Sequence, residues 1–312
     1  MRERSDSKKL TTDTDSSIDL ISLMILVGLS IIWGSSFILI KKSLIAFNPL
    51  QVACFRISIA GIAFLPFIIN EFRKVNKKDI KYLLIVSIGG SGVPAFLYAL
   101  GQTQVSSSVA GLLNSLTPLF TLILGVILFK TQITFLKVSG VILGMIGAGL
   151  LIAFGKDTGV GSDLFYPMLI VIATIGYAVS VNTISTYLGH LKPITISSIA
   201  FGLITLPALL ILMSTQVIEV FRTDDHAIPS FIYVSLLSFL GTFLANIYFY
   251  KLVQRTNALF ASTVSYVIPI VALAWGYFDN EIIGIYHIIG FLLILSGVYL
   301  TRGKKQNNVS KK

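Results

Sequence analysis

Charge is what this chain of 312 residues has least of: Asp, Glu, Lys and Arg together make up 12%. A soluble domain of this size carries about 25%. Too little polar surface remains to clothe a water-soluble globule, and a hydrophobic content of 54% with a mean hydropathy of +0.85 agrees. Cysteine occurs once, as Cys54, which excludes an internal disulfide and, within an apolar segment, reads as inert packing. The three histidines, His190, His226 and His287, are scattered without metal-ligand spacing, so no metal and no cofactor is expected. Acidic residues avoid the apolar middle of every long run: Asp79, Asp163, Glu219, Asp279 and Glu281 all stand near segment ends or in loops. No buried His/Asp/Glu constellation, Ser–Lys pair or phosphate-binding loop is present, which argues against an enzyme.

What remains is a series of apolar runs. Several continue for about 20 residues without a charge, the length needed to cross a hydrocarbon core of roughly 30 Å. They do not alternate as barrel strands would. Ten segments emerge, at roughly 19–40, 49–69, 80–101, 105–128, 134–154, 164–187, 194–214, 229–250, 256–278 and 282–301. Residues 1–18 are polar and read as a disordered tail; residues 302–312 form a basic one. The first apolar run is too long for a signal-peptide core and no small-residue cleavage site follows it, so it reads as the first span. The expected fold is an all-α integral membrane protein of ten transmembrane helices, with the lipid bilayer as its surroundings.

Lysine and arginine fix the expected orientation. With a cytoplasmic N-terminus, nineteen of them fall inside and four outside (Lys41, Lys42, Lys156 and Arg222), while Arg56 lies within a segment. That is a positive-inside pattern, and with ten spans both termini are cytoplasmic. The net charge of +10 is thereby accounted for as a topology signal, and nucleic acid is not an expected partner.

Two stretches share one layout. NSLTPLFTLILG, residues 114–125, and SYVIPIVALAWG, residues 265–276, each set small or polar residues before a proline and a glycine seven residues after it. With an offset of 151, Gly90-Ser91 meets Gly241-Thr242, Ala110 meets Ala261, Pro118 meets Pro269 and Gly125 meets Gly276. With an offset of 150, Gly140 meets Gly290 and Gly147 meets Gly297; near the start, Trp33-Gly34 meets Ile175-Gly176. The units are residues 19–154 and 164–301, each with five spans, an odd number, so they insert in opposite orientations. Inverted repeats of this kind characterise secondary transporters, with the substrate near the midplane between the halves.

These residues resemble the drug/metabolite transporter superfamily, specifically its EamA-like family. The first-span pattern is Trp33-Gly34-Ser35-Ser36-Phe37, and the second-span pattern Arg56 with Ala60. The fourth-span pattern, Ala110 to Pro118 followed by Gly140 and Gly147, recurs as Ala261 to Pro269 followed by Glu281, Gly290 and Gly297-Val298. Thr131 stands where the first half would carry the family's Glu, so a role needing two symmetric carboxylates is not supported. The resemblance implies a multipass inner- or plasma-membrane carrier of small organic metabolites, exporter or exchanger, working by alternating access. A channel-like or lipid-moving protein is the alternative. It also implies that the fifth and tenth spans, rich in glycine, lie at the periphery and support the bundle or a homodimer.

Among the candidate site residues, Arg56 is the most informative. Two turns into a span, a guanidinium either faces the cavity and binds an anionic group, or reaches the interface and orients helices. Pro118 and Pro269 remove backbone hydrogen bonds within spans, as helix breaks on a pathway or as packing kinks. Around them Asn114, Thr117, Ser265 and Tyr266 supply polar and aromatic groups. Trp33, Ser36, Tyr98, Tyr177, Asn182, Asn246 and Tyr248 complete an aromatic, neutral-polar candidate cavity with one cation nearby, suited to a zwitterionic or weakly anionic metabolite such as an amino acid. Glu281 is either a coupling carboxylate or a helix N-terminal residue stabilised by the macrodipole.

Overall fold

The structure is a computed structural model, and it describes residues 19–129, 134–154, 163–256, 261 and 264–301. The two tails expected at residues 1–18 and 302–312, and Thr131, lie outside these. Among the described residues the secondary structure is helical, with no strand. Helix α1 spans Leu20–Ser43, α2 Pro49–Phe72, α3 Lys77–Ser87, α4 Val93–Gly101, α5 Ser107–Asn114, α6 Thr117–Phe129 and α7 Phe135–Phe154. Then follow α8 (Phe165–Tyr187), α9 (Pro193–Ser214), the short α10 (Val217–Thr223), α11 (Ala227–Ser238), α12 (Ala245–Arg255), α13 (Val264–Phe278) and α14 (Ile285–Thr301). Eight helical stretches among the described residues are long and apolar enough to cross a membrane, including the joined α3–α4, α5–α6 and α11–α12. Two more, Val264–Phe278 and Ile285–Leu300, are apolar but shorter.

Local chemistry starts these helices. Asp19 caps α1, its carboxylate accepting from the Ser22 amide at 3.1 Å. Asn48 and Gln51 form a reciprocal capping box at 2.9 and 3.0 Å, with Pro49 in the first turn of α2, where its missing N–H costs nothing. Large apolar side chains face outward along the bundle, Leu20, Ile69, Met213 and Tyr299 among them. Such an extent of exposed apolar surface is stable in lipid rather than water. The protein is a multi-pass membrane protein.

Inside, small residues let backbones meet. The α2–α9 pair runs antiparallel: Gln51 meets Thr215 (3.4 Å), Gly61 meets Thr205, and Glu71 accepts from Thr195. A step of ten residues along one helix matches ten in reverse along the other. The α7–α14 pair is closer still. A Cβ added to Gly297 would lie 2.4 Å from the Gly140 carbonyl and 2.5 Å from the Gly144 amide nitrogen. A Cβ added to Gly147 would lie 2.8 Å from the Gly290 carbonyl. Further pairs are α1 with α13, α4 and α6 with α8, and α5 with α13.

What sits opposite each glycine sets an expected outcome. Gly61→Ala would place its methyl 1.7 Å from Thr205 Oγ1, a side-chain atom, so Gly61→Ala should lower the melting temperature and Thr205→Gly should restore much of the loss. Gly297→Ala meets backbone, which no substitution at Gly140 or Gly144 can trim. It should cost about 1–3 kcal/mol with no second-site rescue. Thermal unfolding in detergent of the single and double variants checks both.

Candidate functional site

Among the described residues, three irregularities interrupt the long apolar helices. The stretch from α5 to α6 breaks at residues 115–116, and Pro118 is the second residue of α6, a position without need of its N–H. Pro269, by contrast, sits inside α13, which continues through it. The other two breaks are π-helical turns, Ile88–Gly92 between α3 and α4 and Phe239–Leu244 between α11 and α12. They begin 151 residues apart (239 − 88), the offset at which Gly90-Ser91 aligns with Gly241-Thr242. Turns of this kind are common at functional sites because they release carbonyls. Here Trp33 Nε1 donates to the Gly241 carbonyl at 2.9 Å and Asn246 Nδ2 to the Thr242 carbonyl at 2.6 Å.

All three breaks border one internal cavity of about 130 Å³. One water needs about 10–15 Å³ on this measure, so there is room for a small organic molecule. Of the twelve candidate binding residues, nine line it: Trp33, Ser36, Arg56, Tyr98, Asn114, Thr117, Tyr177, Asn246 and Ser265. Three do not. Asn182 turns away and ties α8 to α6, its Nδ2 donating to the Thr121 carbonyl at 3.0 Å and the Ala178 carbonyl at 2.9 Å. Tyr248 is 45% exposed on the outer face of α12, whereas its neighbours Phe249 and Tyr250 point inward. Tyr266 packs toward α14, its hydroxyl 3.5 Å from the Val298 carbonyl. Neither proline lines the cavity. The lining also contains Thr121, Ser180, Phe201 and Phe249, which the sequence reading did not single out. Helical phase alone separates Phe249 from Tyr248, and the π turn shifts that phase by one residue.

The aromatic walls are ordered by contact. Trp33 and Phe249 meet with centroids 5.0 Å apart, and Tyr98 and Tyr177 stack at 5.9 Å with a 23° interplanar angle. The Tyr98 hydroxyl donates to Asn114 Oδ1 at 2.8 Å. Arg56 is half-buried; its Nε donates to Thr242 Oγ1 at 3.0 Å and its guanidinium faces the Tyr177 hydroxyl. No carboxylate lines the cavity, and no ion pair of Arg56 occurs among the described residues.

Glu281 lies elsewhere, in the loop between α13 and α14. Its Oε1 accepts from the Ser107 amide (3.0 Å), the Ser107 hydroxyl (2.8 Å) and Lys41 Nζ (2.7 Å). Its Oε2 accepts from the Ser108 amide (3.0 Å) and hydroxyl (2.6 Å). The carboxylate therefore stabilises the N-terminus of α5, a helix remote in sequence. Burial pushes its pKa up, but the bonds from Lys41, Ser108 and Ser107 outweigh that and leave it below the usual value of 4.5. A depressed carboxyl contributes stability above its unfolded pKa and loses it as pH falls through the folded one. Held this way Glu281 stays ionised at neutral pH, which disfavours proton exchange in this conformation.

Comparison with known proteins follows from this geometry. The EamA-like transporter family model matches residues 20–153 and again 164–303. An uncharacterized transporter of Archaeoglobus fulgidus is 27% identical over 88% of this chain and 95% of its own length. The uncharacterized inner membrane transporter YedA of Escherichia coli strain K12 is 28% identical over 80% of each. An S-adenosylmethionine/S-adenosylhomocysteine transporter of Chlamydia trachomatis is 23% identical over 84% of each. A solved crystal structure shares the fold with a TM-score of 0.61 and 16% identity, over 89% of this chain and 95% of that one.

Tyr98→Phe removes the donor to Asn114 and leaves the ring stack in place. The expected cost is about 1 kcal/mol, because cavity water can replace the lost hydroxyl. Thermal melting checks it; a loss as large as that of a dry core hydrogen bond would mean the cavity holds no water.

Proposed function

This chain is a member of the EamA-like transporter family, and from that premise we propose that it is a secondary carrier of small organic metabolites bearing an anionic group. Amino acids are the substrate class that fits, and exchange or export the mode. One observation carries the proposal. Arg56 is the cation of a cavity lined otherwise by aromatic, aliphatic and neutral polar groups, with no carboxylate among the described lining residues. An unpaired charge in a membrane interior costs several kcal/mol, and a substrate carboxylate arriving there removes that cost through a charge-assisted, two-point hydrogen bond. The stacked tyrosines and the Trp33–Phe249 pair then offer apolar surface to the rest of the molecule. The relative named for S-adenosylmethionine and S-adenosylhomocysteine is in keeping with this reading, since both compounds carry an amino-acid end.

The carrier works by alternating access between two inverted five-helix repeats. Counting the two shorter apolar helices with the eight longer ones gives ten spans. In that arrangement each π turn packs against the first helix of the other half, Gly89 against Gly176 and Gly241 against Ser36. Such reciprocal contacts are what a pseudo-twofold axis in the membrane plane requires. Both termini lie in the cytoplasm, with Lys41, Lys42 and Glu281 at the outer end.

Counterflow tests the carrier reading. Vesicles loaded with unlabelled amino acid should accelerate uptake of the labelled compound; a channel or a lipid-moving protein would show no such acceleration. Within that assay Arg56→Ala should lower affinity for carboxylate-bearing substrates roughly ten- to a hundredfold, the worth of a charged hydrogen bond at about 1.5–3 kcal/mol. Its melting temperature should stay near the parent's. Arg56→Lys should recover part of the affinity, because charge persists but the planar fork does not. Unchanged affinity in Arg56→Ala, or failure of that variant to accumulate, would assign Arg56 to helix orientation instead.

A further inference from the structure

The end of the cavity at which α1 terminates is sealed in layers. Nearest the cavity, a Cβ on Gly111 of α5 would lie 2.3 Å from Ala272 Cβ of α13 and 3.3 Å from the Phe37 ring. One layer farther out, a Cβ on Gly276 would lie 1.8 Å from Ser108 Oγ and 2.6 Å from Glu281 Oε2. Outermost is the ion cluster. Lys41 follows Ile40, the last lining residue on α1, and bridges Glu281 Oε1 and Asp279 Oδ2 at 2.7 Å each. Lys42 pairs with Asp279 as well. Three segments distant in sequence thus meet at one carboxylate: the end of α1, the start of α5 and the loop after α13. These are also segments that must separate if the cavity is to open at this end.

The sequence supplies no charged equivalent for the opposite end. In the repeat, Glu281 matches Thr131, and Ser107-Ser108 match Ala258-Leu259 at the offset of 151. Lys41-Lys42 match Thr183-Ile184 at the offset of 142 that aligns Trp33 with Ile175. Glu281, Lys41 and Lys42 are thus each matched by an uncharged residue.

We propose that Glu281, held by Lys41, Ser107 and Ser108 and flanked by the Lys42–Asp279 pair, is a one-sided latch that keeps this end of the carrier closed. The proposal rests on the carrier reading above. Opening here separates a carboxylate from five donors, whereas among the described residues the ion pairs that join distant segments at the other end, Arg255–Asp19 and His190–Asp79, each hold one carboxylate to a single half-exposed basic partner. The two halves of the transport cycle are therefore unequal, and the resting protein favours the state closed at the latch. The parted groups are those best able to recruit water, two hydroxyls, two amides, an ammonium and a carboxylate, so the open latch is hydrated rather than stranded. Serine at both positions 107 and 108 has a reason in this arrangement: each supplies a hydroxyl and an amide to one carboxylate oxygen.

The test uses the full-length protein carrying Cys54→Ala and the cavity reporter Ser36→Cys, in sealed membrane vesicles of each orientation. A membrane-impermeant maleimide is applied from outside the vesicle, so that each cavity end is probed separately. Glu281→Gln keeps the size and one acceptor but removes the charge. It should speed labelling from the latch side by about tenfold, the effect of losing one charge-assisted hydrogen bond, and should not speed it from the other side. Equal rates from the latch side in parent and Glu281→Gln overturn the latch. Where Glu281→Gln fails to fold, the double variant Ser107→Ala, Ser108→Ala keeps both backbone donors and takes its place. It should show a smaller rise on the same side, and no rise overturns the proposal. The labelling readout is independent of transport. Counterflow by the parent in the same vesicles reports on the carrier reading alone, so failure of one does not imitate failure of the other.

Discussion

In hydrocarbon no water repairs a broken backbone hydrogen bond, so an irregular helix survives only where something else completes it. That constraint locates the working part of this protein. The break at residues 115–116 and the π turns Ile88–Gly92 and Phe239–Leu244 all border one cavity. At two of the three, side chains take up released carbonyls. Trp33 reaches the Gly241 carbonyl, Asn246 the Thr242 carbonyl and Thr117 the Asn114 carbonyl. The polar residues that make the cavity hospitable to a metabolite are thus, in part, the ones that make its bent walls affordable to the fold.

Glycine serves two ends in this bundle, told apart by what it touches. Between α7 and α14 the close approaches are backbone on backbone, at Gly140, Gly144, Gly147, Gly290 and Gly297. Such a seam tolerates little sliding, because no side chain can rotate to make room. Along α1, α5 and α13 the contacts are instead glycine on side chain: Gly34 on Val271, Gly111 on Ala272, Gly276 on Ser108. A surface of the second kind can part and re-form by moving small side chains. No described residue of the first seam lines the cavity, whereas the second kind of surface adjoins it.

Much of the architecture was legible because membrane insertion is written in composition. Long uncharged runs and the paired Gly–Ser and Gly–Thr dipeptides are both one-dimensional signals. The cavity was legible by residue type but not by phase. Nine of twelve candidates line it, and the exceptions are instructive. Tyr248 differs from Phe249 by one position, and the extra residue of a π turn decides which of them faces inward. Asn182 is polar and midway along α8, yet satisfies itself on the Thr121 and Ala178 carbonyls. The matched prolines drew attention to the right region for a partly different reason. Pro118 follows a true break, whereas Pro269 is carried inside α13, and the π turns that share the repeat contain no proline, although Pro94 follows the first closely. What composition could not supply was the partner of Glu281, since a carboxylate in a short loop gives no sign that it will cap a helix more than 170 residues earlier (281 − 107 = 174).

In the proposed carrier two charged groups divide the labour between structure and binding, and the difference lies in saturation. Glu281 accepts from five donors, one of them the Lys41 ammonium, so neither oxygen has an obvious vacancy for a ligand. Such a group holds a conformation. A guanidinium has five N–H donors in a planar fork; Arg56 gives one of them to the Thr242 hydroxyl, and its remaining neighbours in the cavity are neutral. Thr242 belongs to the π turn, so the turn aims the guanidinium without neutralising it. A carboxylate of the protein in that place would stabilise the empty cavity and compete with any anionic substrate. With none among the described residues, the proposed reading has the empty state less favourable than the loaded one, and binding energy gained where the substrate's own charge arrives. Under the proposed function, neutral anchoring of the cation and full saturation of the carboxylate are therefore complementary choices: the first reserves affinity for the ligand, and the second keeps the carboxylate for the protein's own contacts.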